Sequence, residues 1–229
     1  WLQLYCDFAG YSALAIGAAK LLGFDIGVNF CQPYLSVSVR DFWNRWHISL
    51  SSWLRDYVYI PLGGNRKGRF KKYRNLLLTF LVSGLWHGSG ANFLVWGFLH
   101  GIYQIAGDAA AGRRGKREKG SMSAAGRIAG ALFTFLLVDF AWIFFRAGSL
   151  GQAMDIIGRM LFHFNFHEMT YYGSYLLGGT RLGLSFVLAG TAIVFLVDFL
   201  HERKLCIEDL AMGRLHAAIR WMLYIALTV

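Results

Sequence analysis

Apolar residues in this chain come in long blocks broken by short basic patches. The block from Leu76 to about Ala111 is too long for one membrane-crossing helix and barely enough for two, since one crossing takes about 20 residues. It is bracketed by Asn65 to Arg74 (NRKGRFKKYR, six positive residues) and Arg113 to Lys119 (RRGKREK, five positive residues and one Glu). Basic edges favour the cytoplasmic side of a membrane, so with both edges there the block must enter and return. The Gly-rich WHGSGAN, Trp86 to Asn92, is the expected turning point. Asn75 to His87 then covers about 18 Å of helix at roughly 1.5 Å per residue. That is less than a hydrocarbon core of about 30 Å, which predicts His87 at membrane depth.

The remaining blocks alternate in the same way. Trp1 to Leu22 reads as a span interrupted by Asp7, Gly10 and Gly17, and Gly126 to Phe145 is long enough to cross. Leu150 to Phe164 is shorter and amphipathic, with Asp155 and Arg159 on a face apart from Met154, Ile157 and Leu161. The Tyr- and Gly-rich stretch from Asn165 to Thr180 suits the far interface. Arg181 to Leu200 spans again and ends in a third basic edge, His201 to Lys204, while Leu215 to Val229 opens a further span. The start at Trp1 and the end inside an apolar run suggest a fragment of a longer protein.

Val39 to Tyr59 (VRDFWNRWHISLSSWLRDYVY) has a different pattern. Trp43, Trp46, Leu50, Trp53 and Tyr57 recur at spacings of three and four, which predicts one apolar face of one helix. Arg40, Asn44, His47, Ser51 and Arg55 recur on another face. Two readings fit. The helix lies in the interface with its aromatics in lipid, or it lines a polar cavity inside the protein, with His47, Asn44 and Ser51 projecting into it.

Composition agrees with a membrane protein. The 229 residues are 56% hydrophobic and 17% aromatic, with only 16% charged. This excludes a disordered chain, a coiled coil and a disulfide scaffold. The net charge of +10 reflects cytoplasmic loops, not nucleic-acid binding. Cys6, Cys31 and Cys206 lack motif spacing and are expected to be small packing residues.

Among the histidines, His87 stands between Trp86 and Gly88 with Gly84, Ser89 and Gly90 close by. Small residues let a backbone or a substrate approach closely, and a neutral imidazole at depth can accept a proton. A hydrogen bond to a backbone carbonyl would explain the same residue structurally. His100 reads as structural. His163 and His167, beside Glu168, have the order H-x-x-x-H-E, not the zinc-protease H-E-x-x-H, so no metal is expected.

Five stretches carry a resemblance. Arg40 to Gly68 (RDFWNRWHISLSSWLRDYVYIPLGGNRKG) and Ser83 to Gly88 (SGLWHG) are similar to the membrane-bound O-acyltransferase (MBOAT) family. Asp7 to Phe24, Asn29 to Tyr34 and Trp142 to Ala153 resemble its flanking segments. PLGGNRKG resembles the bacterial branch that acetylates alginate, peptidoglycan and other exported polysaccharides. Ala13 stands where that branch has an acidic residue after GYS.

The resemblance implies an all-α integral membrane fold, with re-entrant or short helices lining a central cavity. Residues 1–229 would form a single membrane domain, lacking the N-terminal part and the last residues of the family's fold. It further implies O-acyl transfer with His87 as catalytic base, His47 as the second active-site position, and Asn44 and Ser51 as weaker substrate-binding candidates. The donor would be an acyl thioester, acetyl-CoA or an acyl carrier, with no bound cofactor. The partners implied are the lipid bilayer and an extracytoplasmic hydrolase-like acetyltransferase, with no nucleic acid. The location would be the bacterial inner membrane, multi-pass. Transfer of D-alanine or another acyl group, and a non-enzymatic transporter with a histidine relay, are the alternatives.

Overall fold

The computed structural model describes residues 2–66, 68–113, 122–165 and 181–203. The described residues form helices α1 (Leu2–Leu21), α2 (Val39–Arg45), α3 (Ile48–Leu54), α4 (Arg69–His87), α5 (Ala91–Arg113), α6 (Ala124–Arg146), α7 (Leu150–Phe162) and α8 (Arg181–Glu202), without a strand. A short 3₁₀ turn, Pro33–Leu35, precedes α2, and α3 runs on into a π-turn, Arg55–Tyr59. Residues 1–166 and 167–229 form two compact units, and α8 belongs to the second. His167, Cys206, the Leu215 to Val229 span and nearly all of the Asn165 to Thr180 stretch lie outside the described residues.

Local signals start the helices where the sequence supplies caps. Ser38 accepts from the Asp41 N–H at 3.1 Å, and Asp41 pairs with Arg45 at 2.9 Å one turn on. Both arrangements satisfy or complement the open N–H groups of a first turn. Ser123 and Ser149 cap α6 and α7 in the same way, accepting from Gly126 and Gln152 at 3.2 Å each.

The expected re-entrant block is a helical hairpin. α4 and α5 pack against each other along their length and turn through Gly88–Gly90. Their approach is set by glycine. A Cβ on Gly84 would overlap the Phe93 carbonyl, one on Gly97 would overlap the Phe80 carbonyl, and one on Gly101 would press on Leu77. Small residues at a crossing bring backbones together where no hydrophobic drive exists between helices. At the opposite end, the ammonium of Lys72 pairs with the Asp108 carboxylate. The basic start of α4 and the basic end of α5 therefore share one end of the hairpin.

Polar and apolar residues are distributed inside out. Asn75, Thr79, Ser83, Asn92, His100 and Thr134 are buried. Leu78, Val82, Leu85, Phe98 and Ile102 on the hairpin are exposed, as are Ile128, Leu132, Phe133, Leu136 and Phe140 on α6. A lipid-facing surface has this pattern, because unpaired polar groups in hydrocarbon cost several kcal/mol (roughly) each. Among the described helices, α6 has the length and hydropathy to cross a membrane by itself. The basic residues at the start of α4 (Arg69, Lys71, Lys72 and Arg74) and the polar residues along α5 lower their apolar content.

Two expectations are corrected. Val39 to Tyr59 is not one helix: it breaks at Trp46 and His47, where His47 takes a left-handed φ of 45°. The Asn29–Cys31 segment is bonded on both sides of the break: Cys31 N–H donates to the Arg45 carbonyl at 2.9 Å and Ile48 N–H donates to the Asn29 carbonyl at 3.0 Å. The register changes there, so Trp43, Trp46 and Leu50 are buried while Trp53 and Tyr57 are 50% and 68% exposed. The second correction concerns cysteine. Cys6 and Cys31 are exposed and do not pack in a core, and Cys31 Sγ donates to Gln32 Oε1 at 3.2 Å.

The glycine seam yields a paired expectation. Gly84→Ala forces its methyl into the Phe93 carbonyl and should destabilise by about 1–3 kcal/mol. Gly107→Ala has open space around its Cβ and should be neutral or stabilise by up to about 1 kcal/mol. Thermal unfolding midpoints of the two purified variants check this, and equal midpoints would refute the seam.

Candidate active site

His87 ends α4, and its side chain folds back on its own helix. Nδ1 lies 2.7 Å from the Ser83 carbonyl oxygen, one turn earlier. A carbonyl only accepts, so Nδ1 carries the hydrogen and the neutral ring leaves a lone pair on Nε2. Aromatic rings enclose it: Trp86 at 4.8 Å, Trp96 at 5.0 Å and Phe145 at 5.2 Å between centroids. Phe145 is placed by Asn92, whose amide donates to the Phe144 and Ala147 carbonyls at 3.1 and 3.0 Å. That buried amide ties the start of α5 to the end of α6.

His47 reaches the same place from the break between α2 and α3. Its ring centroid is 6.5 Å from that of His87, with the planes nearly perpendicular. Phe8 of α1 meets its ring in a T-shaped contact at 4.7 Å between centroids. Nδ1 of His47 lies 3.3 Å from Asn29 Oδ1, which also accepts from the Ser49 backbone N–H at 3.2 Å and from Ser49 Oγ at 3.0 Å. Both imidazoles are half-buried. A cleft of about 360 Å³, lined by His47, Ser49, Leu50, Trp53 and Trp86, opens beside them. Its lining includes His47 and not His87, whose ring contacts the lining residue Trp86.

The other sequence candidates fare differently. Ser51 donates its hydroxyl to the Trp46 carbonyl at 3.2 Å, so it covers an acceptor freed by the helix break. Asn44 is exposed on α2, in the segment before the break. Neither belongs to the cleft lining. Among residues given no individual role from sequence, Asn29 and Asn92 stand out. Asn29 opens the NFCQPY segment, but nothing in its spacing links it to His47 across 18 positions.

His100 is fully buried and apart from the cleft. Trp43 Nε1–H donates to its Nδ1 at 3.2 Å, which clasps α2 to α5. The ring contacts Phe42, Phe80, Trp96 and Tyr103. The structural reading of His100 fits this position. Trp43→Phe and His100→Leu should each destabilise by about 1–3 kcal/mol, mostly through a buried polar group left without its partner. The double variant should cost less than the sum, because the orphaned group is then gone as well. Additive losses in a thermal-unfolding cycle would deny the clasp.

Comparison with known proteins follows the same residues. A family profile described as MBOAT, membrane-bound O-acyltransferase family, matches residues 1–146, which take in α1 to α6. The chain is 49% identical over 158 residues to the probable alginate O-acetylase of Pseudomonas putida, covering 69% of this chain and 31% of that protein. It is 42% identical over 159 residues to the peptidoglycan O-acetyltransferase of Helicobacter pylori, covering 69% and 29%. With the teichoic acid D-alanyltransferase of Bacillus subtilis it shares 36% identity over 108 residues, covering 44% and 27%. The chain thus spans about a third of the length of the curated relatives it matches first. With more than half its length matched by the profile, this chain belongs to the membrane-bound O-acyltransferase family.

Proposed function

We propose that the full protein is a membrane O-acyltransferase that moves acetyl groups from a cytoplasmic thioester toward hydroxyls of an exported cell-envelope polysaccharide. The observation that carries the reading is the pair of imidazoles 6.5 Å apart, one of them hydrogen-bonded so that Nε2 is left as an acceptor. In the reaction, a hydroxyl oxygen attacks the thioester carbonyl while His87 Nε2 takes its proton. The new ester C–O bond forms, the C–S bond breaks, and the thiolate leaves and takes up a proton. His47 orients a reacting group from the facing element. The aromatic enclosure lowers the local dielectric and strengthens each polar contact made there.

Relatives named for alginate and peptidoglycan O-acetylation favour acetyl as the group transferred. The lower identity and shorter match to a D-alanyltransferase make D-alanine the second choice within the family. The basic residues from Arg66 to Arg74 attract an anionic donor, such as a CoA thioester or an acyl carrier, over long range. A multi-pass position in the bacterial inner membrane and an extracytoplasmic hydrolase-like partner complete the proposal. A histidine relay for transport would use the same two rings; it predicts proton or solute flux and no acylated product.

Envelope acetylation in cells carrying the full-length protein tests the roles. His87→Ala should lower transfer by about 10²–10⁴-fold while membrane insertion stays normal. His47→Asn should retain part of the activity, because an amide still hydrogen-bonds. His163→Ala, at an exposed position, should change little. Full acetylation by the His87→Ala protein would overturn the assignment.

A further inference from the structure

Asn29 is bound to His47 in a way that its place in the chain does not require. Its Oδ1 receives three contacts: the Ser49 backbone N–H at 3.2 Å, Ser49 Oγ at 3.0 Å and His47 Nδ1 at 3.3 Å. A backbone N–H can only donate, so the atom facing Ser49 is the amide oxygen. His47 Nδ1 must then carry the hydrogen in the neutral ring, and Nε2 carries the lone pair. The loop is anchored independently of the side chain, by the backbone bonds from Cys31 to Arg45 and from Ile48 to Asn29. Phe30, packed on Phe8 and Trp46, adds to that anchor. The side chain of Asn29 is thus free to serve the imidazole.

We propose that Asn29 is a positioning residue for acyl transfer: it holds neutral His47 with its hydrogen on Nδ1, so that Nε2 accepts a hydrogen bond from the acceptor substrate. This rests on the acyltransferase reading above. His87 is held the same way by Ser83, so both rings offer lone pairs and neither neutral ring offers a donor to the thioester carbonyl. One hydroxyl has one proton to give. Two accepting nitrogens are matched by two hydroxyls of one molecule, one attacking through His87 and a neighbour held by His47. A polyhydroxylated acceptor supplies both.

The elements packed on His47 present Phe8 from α1, Asn29 and Ser49 from its own loop and helix, and Trp86 and His87 from α4. Of these His87 is the titratable group. Asn29→Asp keeps every acceptor contact but places a carboxylate against Nδ1–H. An adjacent opposite charge favours imidazolium, in which Nε2 holds a proton and has no lone pair. The acid limb of the kcat/KM profile for acyl transfer should therefore move to higher pH, by about one unit or more. A side chain that only braces the loop would leave the limb in place.

Two measurements on the full-length protein decide it. Ring nitrogen-15 NMR of the parent, with His47 signals assigned by their loss in His47→Asn, should show Nδ1 protonated and Nε2 bare at neutral pH. The pH profile of Asn29→Asp should shift as stated. A His47 ring with its hydrogen on Nε2 overturns the proposal, and so does an active Asn29→Asp protein whose acid limb matches the parent. A parent that transfers no acyl group sinks the acyltransferase reading instead, and the NMR result still decides the tautomer.

Discussion

The structure depends on the close crossing of α4 and α5. Gly84 and Gly97 each lie against a backbone carbonyl of the opposing helix, at Phe93 and Phe80. With the helices so near, no side chain fits between them at these levels, and bulkier groups must leave the seam on either side. Polar groups turn inward, where Asn75 donates to the Leu62 and Gly64 carbonyls at 3.1 and 3.0 Å and Asn92 holds the end of α6. Apolar groups turn outward. His87, one turn beyond Ser83 at the end of α4, is delivered to the mouth of this seam.

The second constraint is the break at His47. A continuous helix from Val39 to Tyr59 would have placed Trp53 and Tyr57 on the same face as Trp43. The Asn29–Cys31 segment instead takes backbone hydrogen bonds on both sides of His47 and holds it at positive φ, a region a non-glycine residue visits at a cost of about 1–3 kcal/mol. The buried Trp43–His100 hydrogen bond keeps α2 on the hairpin while α3 diverges from it. His47 thereby turns away from its own helical face and meets His87.

Much of this was legible in the sequence. The hairpin followed from block length and flanking charge, its turn from the Gly-rich WHGSGAN, and α6 from a largely apolar run long enough to cross. These are local signals of length and composition, which need no knowledge of neighbours. The break at His47 was not legible, because the spacing of Trp43, Trp46, Leu50, Trp53 and Tyr57 satisfies helical periodicity throughout. Only the Asn29–Cys31 segment, which is hydrogen-bonded to Arg45 and Ile48 on either side of His47, overrides it. Asn29 and Asn92 went without roles for the same reason: an amide shows its function through what it touches, and their partners lie 18 and more than 50 positions away. Asn44 and Ser51 drew notice from a helical face that the break divides.

The central claim is that two separately delivered histidines meet at one place. Proximity cross-linking measures it directly, with cysteine at positions 47 and 87 of the full-length protein and serine in place of Cys6, Cys31 and Cys206. A short thiol-bridging reagent applied to native membranes, followed by peptide mapping, should join positions 47 and 87 within one chain, since the ring centroids are 6.5 Å apart. Failure to join them, while both cysteines react singly with the same reagent, would contradict the account.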